Sequence, residues 1–272
     1  MDILTLPFMQ NAIAASLLAS IACGIVGTLI VLNRLVFLAG GVAHAAYGGV
    51  GLAFFWGLPV LPCTLGFTLG SSVAMSTIAR KYKEKADTVI GVLWAAGMAF
   101  GIILIDLTPG YNVDLMSFLF GSILTVSASD LWLMFGMDIF ILGTTILAYP
   151  GLLSISFDAE YAESRGLPAS ILHTVLVCMA ALSIVMIIRV VGLILVIALL
   201  TIPPFIAERK ARNLAWMMGT AVFWSMVFCT LGLGLAYWFN LTSGASIIAV
   251  ASATFFAVVG IEQFHNYRAS KT

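Results

Sequence analysis

The chain has 272 residues, 62% hydrophobic and 9% charged, with a mean hydropathy of +1.12. Soluble domains carry about 25% charged residues, so the composition excludes a soluble globular protein and marks a chain that crosses a bilayer many times. The 12 basic and 12 acidic residues cancel, which leaves no basic field for nucleic acid.

Met9 to Leu32 reads as the first span, and a break at Asn33-Arg34 leads into a second, Leu35 to Trp56. Two long apolar runs in immediate succession predict retained spans rather than a cleaved leader. The second span holds one ionisable group, His44, among Gly40, Gly41, Gly48, Gly49 and Gly51. Gly40, His44, Gly48 and Gly51 share one helix face, and small residues let another backbone approach. His44 is therefore expected on the packed face. Two readings stay open for it: a bond across a helix interface, or a solute ligand.

Gly57 to Pro62 is a tight loop. Leu61 to Ala79 is the third span and ends at the run Arg80-Lys81-Tyr82-Lys83-Glu84-Lys85. Thr88 to Leu107 is the fourth. Leu115 to Val126 is apolar but short and is interrupted by Gly121, which predicts a re-entrant segment rather than a crossing. Leu131 to Leu153 follows, with Asp138 inside it. Ser154 to Pro168 is the longest polar stretch. Ile171 to Ile188 and Leu193 to Ile206 are the next spans, the second ended by Pro203-Pro204. Leu214 to Phe239 and Gly244 to Val259 complete the set. The last is only about 16 residues, so the count is eight to nine.

Nine crossings with the N-terminus outside put Arg34, Arg80, Lys81, Lys83, Lys85, Arg165, Arg209, Lys210, Arg212, Arg268 and Lys271 on the cytoplasmic side, eleven of the twelve basic residues. Only Arg189 falls outside. Asp106, Asp114 and Asp130 then lie toward the outer half, as solvated loop acids or as a funnel that draws in cations. Asp138 lies within a span and requires a partner or a wet cavity.

No catalytic signature is present: there is no GxxxxGK[ST], HExxH or GxSxG. Cys23, Cys63, Cys178 and Cys229 lie singly in apolar runs, which argues against disulfides and structural zinc. Phe157 to Gly166 (FDAEYAESRG) reads as a short amphipathic helix closed by Gly166 and Pro168, with Tyr161 and Arg165 one turn apart. It is either a solvated connector or a docking helix for a soluble partner.

Five stretches in order, NRLVFLAGGVAHA (33–45), ADTVIGVLW (86–94), VDLMSFLFGSILTVS (113–127), FDAEYAESRG (157–166) and VVGLILVIALLTIPPFIA (190–207), together resemble the membrane subunit of metal-ion ABC importers. The resemblance implies an all-α fold similar to the vitamin B12 and siderophore importer permeases, formed by residues 1–272 as one domain in a prokaryotic inner membrane. It implies a homodimer in the lipid bilayer, ATPase subunits docked below, and an extracytoplasmic metal-binding protein. The chain itself would bind no cofactor, with ATP held on the partner. Asp158, Glu160, Tyr161, Ala162, Arg165 and Gly166 fall in what resembles the coupling helix, within a cytoplasmic segment of about 154–168. Residues of about 115–127 look like the short helix beside the outer mouth.

The family usually carries an acid four residues before the histidine that matches His44; here that position is Gly40. An acid and a histidine at i, i+4 would set an oxygen and a nitrogen on one face. Without the acid, His44 needs its counterpart in a second copy or an acid such as Asp138. Imidazole suits zinc and iron while carboxylate suits manganese, which tilts the expected cargo toward zinc, with manganese, iron or a metal chelate as alternatives. A secondary transporter would show coupling acids and inverted repeats; the chain offers one mid-span acid and no evident repeat.

Overall fold

The computed structural model of the chain describes residues 7–109 and 126–269. Ten α-helices run through them: α1 Pro7–Leu32, α2 Val36–Trp56, α3 Val60–Lys81, α4 Ala86–Asp106, α5 Ala128–Phe157, α6 Ala159–Ser164, α7 Ala169–Val191, α8 Leu193–Glu208, α9 Leu214–Phe239 and α10 Ser243–Ala269. No strand occurs among the described residues. Eight helices are long and apolar enough to cross a membrane; the shorter apolar one is α8. The expected re-entrant segment lies outside the described residues except for Val126, whose carbonyl accepts from Asn11 Nδ2 at 3.1 Å.

Two boundaries differ from the sequence reading. The last span is not the short one: α10 has 27 residues and α8 has 16. Glu262 and Gln263 end the hydropathy signal without ending the helix, since a helix can run on beyond the lipid. Pro203 and Pro204 do not stop α8 at Ile206; the helix continues to Glu208. Pro204 has no N–H to offer the Leu200 carbonyl four residues back. That oxygen lies against Gly27 of α1, where any Cβ would overlap it. Close backbone contact with a neighbouring helix makes such prolines tolerable in a membrane helix.

Two groups of helices form the body. α2 is the spine of the first: it packs on α3 and most extensively on α4. The pairs Gly41–Ile90, Gly48–Gly97 and Gly51–Gly101 show that α2 and α4 run parallel. A Cβ on Gly51 would collide with the Gly101 backbone, so the Gly97-xxx-Gly101 spacing serves close backbone approach. α1 is the spine of the second group, lined by α5, α8 and α9. Its buried hydroxyls return to their own helix: Ser16 to Ala12 O, Ser20 to Ser16 O and Thr28 to Gly24 O, at 2.7–2.8 Å. Those bonds remove most of the cost of polar groups in an apolar core. α7 touches both groups.

The basic segments gather at one end. Asn33 Nδ2 donates to Ser156 Oγ at 2.8 Å, joining the ends of α1 and α5. Arg80 Nη1 donates to Ser170 Oγ at 3.1 Å, joining α3 to α7. Leu32 packs on Ala207, Met217 and Ala221, and Arg209 pairs with Glu262. α8 runs beside α10 from the contact of Ile194 with Ala245 and Ile248 to this ion pair. Short as it is, α8 connects the two ends, as the charge pattern requires.

Candidate functional site

His44 sits near mid-length of α2, half-buried, with its ring stacked on Trp94 of α4 at 4.3 Å between centroids and 14° between planes. The stack follows from the α2–α4 pairing, since His44 and Trp94 fall between the Gly41–Ile90 and Gly48–Gly97 contacts. His44 Nδ1 is buried without a hydrogen-bond partner. It therefore makes no bond across a helix interface through that atom, contrary to the plainer of the two sequence readings. A Cβ placed on Gly40, one turn away, would meet only Ile197 Cδ1, at 4.0 Å. Gly40 is itself buried, so the acid-less position lies inside the packing with no close clash on it.

Asp138 is not brought to His44. It lies on the inward face of α5 with Met134, Ile141 and Thr145, toward α1 and α7 rather than α2, and within electrostatic reach of Cys23. It is 8% exposed, and its Oδ2 has no partner. Cys229 receives the Ser20 hydroxyl at 3.7 Å. No three His, Cys, Asp or Glu side chains among the described residues come together in a way that holds a metal ion. An ion that meets His44 in one copy of the chain must find its other ligands in water, backbone or a second copy.

The acids at the opposite end separate as well. Asp106 is exposed at the last turn of α4. Asp130 is engaged: it accepts from the Ser127 hydroxyl at 2.6 Å and from the Ser127 N–H at 3.3 Å, closing a capping box that starts α5. Its first task is structural. Asp114 lies outside the described residues.

At the basic end, α6 stands as a single short helix. Asp158 caps it, accepting from the N–H groups of Glu160 and Tyr161 at 3.0 Å, and Gly166 closes it with φ +80°. Ala162 is fully buried and seats α6 against the bundle, so its side chain is turned to the bundle and not to solvent. Tyr161 is 58% exposed, with Arg165 5.9 Å from its ring. Phe157, 82% exposed, is the last residue of α5, across the extended Asp158 from α6. The sequence places it at the start of the amphipathic segment without marking it as an anchor. Trp94 escaped the sequence reading, because periodicity does not say which helix a face meets.

An all-helical bundle with eight membrane-length helices, basic segments at one end and an exposed aromatic helix among them has the build of a multi-pass membrane subunit that engages a soluble partner. The chain belongs to the ABC 3 transport family, whose model matches residues 5–262. It is a non-catalytic permease subunit of the inner membrane, and ATP hydrolysis belongs to a separate ATPase. Among its relatives, an uncharacterized membrane protein of Synechocystis, slr2045, is 54% identical over 91% of this chain and 88% of its own length. The manganese transport system membrane protein MntC of Halalkalibacterium halodurans is 32% identical, over 93% and 87%. The solved structure of PsaBC from Streptococcus pneumoniae in complex with Fab superposes with a TM-score of 0.83 at 31% identity, covering 93% of this chain and 91% of that one. An inward-facing structure of a putative metal-chelate type ABC transporter shares the fold, with a TM-score of 0.70 at 16% identity.

Proposed function

We propose that the chain is the permease of a divalent-metal importer, working as a homodimer with two ATPase subunits on the basic end and an extracytoplasmic binding protein on the other. The observation that carries this reading is the full-length match to the family together with relatives named for manganese transport. Phe157 at the end of α5 and Tyr161 on α6 offer two exposed aromatic anchors for the ATPase. Movement of that subunit on ATP pushes α6, and α6 is seated by Ala162 on the bundle. The metal passes between two copies, with His44 as a way station that binds weakly enough to release.

Manganese is the favoured cargo, since relatives at about one-third identity carry that name. Zinc is the second reading, favoured by a lone imidazole with Gly40 where an acid is usual. The test is metal analysis of cells with and without the gene, grown under scarcity of each ion in turn. Loss of manganese accumulation on deletion supports the first reading and loss of zinc alone the second. Unchanged content of every transition metal would overturn the proposal.

A further inference from the structure

α3 and α4 both lean on α2 but splay from each other, and the gap between them is a cleft of about 520 Å³. Its walls are Gly66, Gly70 and Ala74 of α3 and Leu93, Ala96 and Phe100 of α4. The hydroxyl of Ser71, the one polar side chain on the lining, is turned to the Thr68 carbonyl at 3.0 Å. Nothing in the cleft can recognise a polar solute. The cleft occupies the middle of both helices, and its lining stops at Met75 of α3 and Leu93 of α4 on the side of the basic pole. Arg80 is five residues past Met75, about 7.5 Å along the helix, well within the ~15 Å of one hydrocarbon leaflet. The connection from α3 to α4 on that side carries Arg80, Lys81, Lys83 and Lys85 in sequence, with Glu84 and Asp87 among them.

Lys81 and Lys85 are both exposed. Lys81 follows Gly70 and Ala74 by eleven and seven residues, which places it on the same helix face as the cleft floor. Lys81 Nζ lies 5.9 Å from the Tyr82 ring, and Tyr82 is 52% exposed, the position of an aromatic residue at the headgroup level. Lys85 precedes α4 without capping it through its side chain, so the positive start of α4 also favours an anion there.

We propose that this cleft and turn form a binding site for one anionic membrane phospholipid, with an acyl chain between α3 and α4 and the phosphate at Lys81 and Lys85. The cleft borders the His44–Trp94 pair, since Ala45 and Leu93 are on its lining, but the proposed ligand does not depend on what the chain transports. Bound there, the lipid fills the gap beside the direct contact of α3 with α4.

The test uses the full chain extracted in mild detergent and loaded with either dioleoylphosphatidylglycerol or dioleoylphosphatidylcholine, with bound lipid counted by native mass spectrometry. Wild type is expected to retain one phosphatidylglycerol per copy in preference to phosphatidylcholine. Lys81→Ala and Lys85→Ala are each expected to lower that preference about fivefold. Gly70→Leu fills the cleft, and a Cβ at Gly70 meets nothing within 4 Å, so the fold tolerates it; retention of either lipid is expected to fall. Equal retention of the two lipids by wild type, or undiminished retention in Gly70→Leu, overturns the proposal. So does a Gly70→Leu variant that changes the oligomeric state with lipid retention intact, because the cleft then belongs to a contact between copies.

Discussion

α2 and α5 each carry one ionisable side chain near mid-span, and their surroundings differ. His44 is half-buried, lies flat on Trp94, and has the side-chain-free Gly40 one turn away. Asp138 is enclosed at 8% exposure beside α1 and has no bond to its Oδ2. An enclosed carboxylate is costly to leave unpaired, and no His, Cys, Asp or Glu pair among the described residues joins it to form a metal-holding group. The two helices therefore present their polar groups differently, one on an aromatic ring and one in an apolar seam.

Substitutions in the two helices test this difference. The largest effect is expected at the frame that holds His44. Gly51→Leu forces α2 off the Gly101 backbone and costs about 3 kcal/mol or more; the measurement is the yield of folded protein in membranes, expected to collapse. His44→Ala is expected to cut metal uptake at least about tenfold, by analogy with the loss of a supporting ligand contact, with assembly intact. Unchanged uptake would end its role as a way station. Tyr161→Lys puts a charge among the aromatic anchors, and coupling between ATP hydrolysis and uptake is expected to fall by about tenfold, the loss of one interface anchor. A normal coupling ratio would remove α6 from the docking surface.

Two smaller effects probe the contrast directly. Gly40→Asp places a carboxylate one turn from His44, at a position where a Cβ meets no close contact, and should shift selectivity among divalent ions toward manganese by a few-fold. The readout is competition between manganese and zinc in uptake. Asp138→Asn keeps the shape and removes the possibility of charge. Uptake is expected to stay within about twofold, since Asp138 faces α1 and α7 and not the His44 helix. A collapse of uptake in this variant would erase the distinction between the two helices.

Much of the fold was legible in the sequence. Spans follow from hydropathy because lipid demands it, and the gathering of basic segments at one end follows from charge placement. The glycines around His44 announced a tight interface, though not that its partner would be α4 and Trp94. What stayed hidden depends on contacts between distant segments. Pro203 and Pro204 read as a stop because the sequence does not display Gly27 beside the Leu200 carbonyl. Asp138 and His44 seemed able to meet because both lie mid-span, and only the packing of α5 on α1 keeps them apart. Asp130 read as a loop acid because its bond to Ser127 is a matter of local backbone geometry.

The account rests on a membrane subunit driven by a separate ATPase. Its most direct test is uptake of radiolabelled manganese into vesicles holding the purified chain with its ATPase and binding protein. Uptake is predicted to require ATP and to vanish when the ATPase carries a substitution that abolishes hydrolysis. Uptake that persists with the disabled ATPase, or with this chain alone, would contradict it.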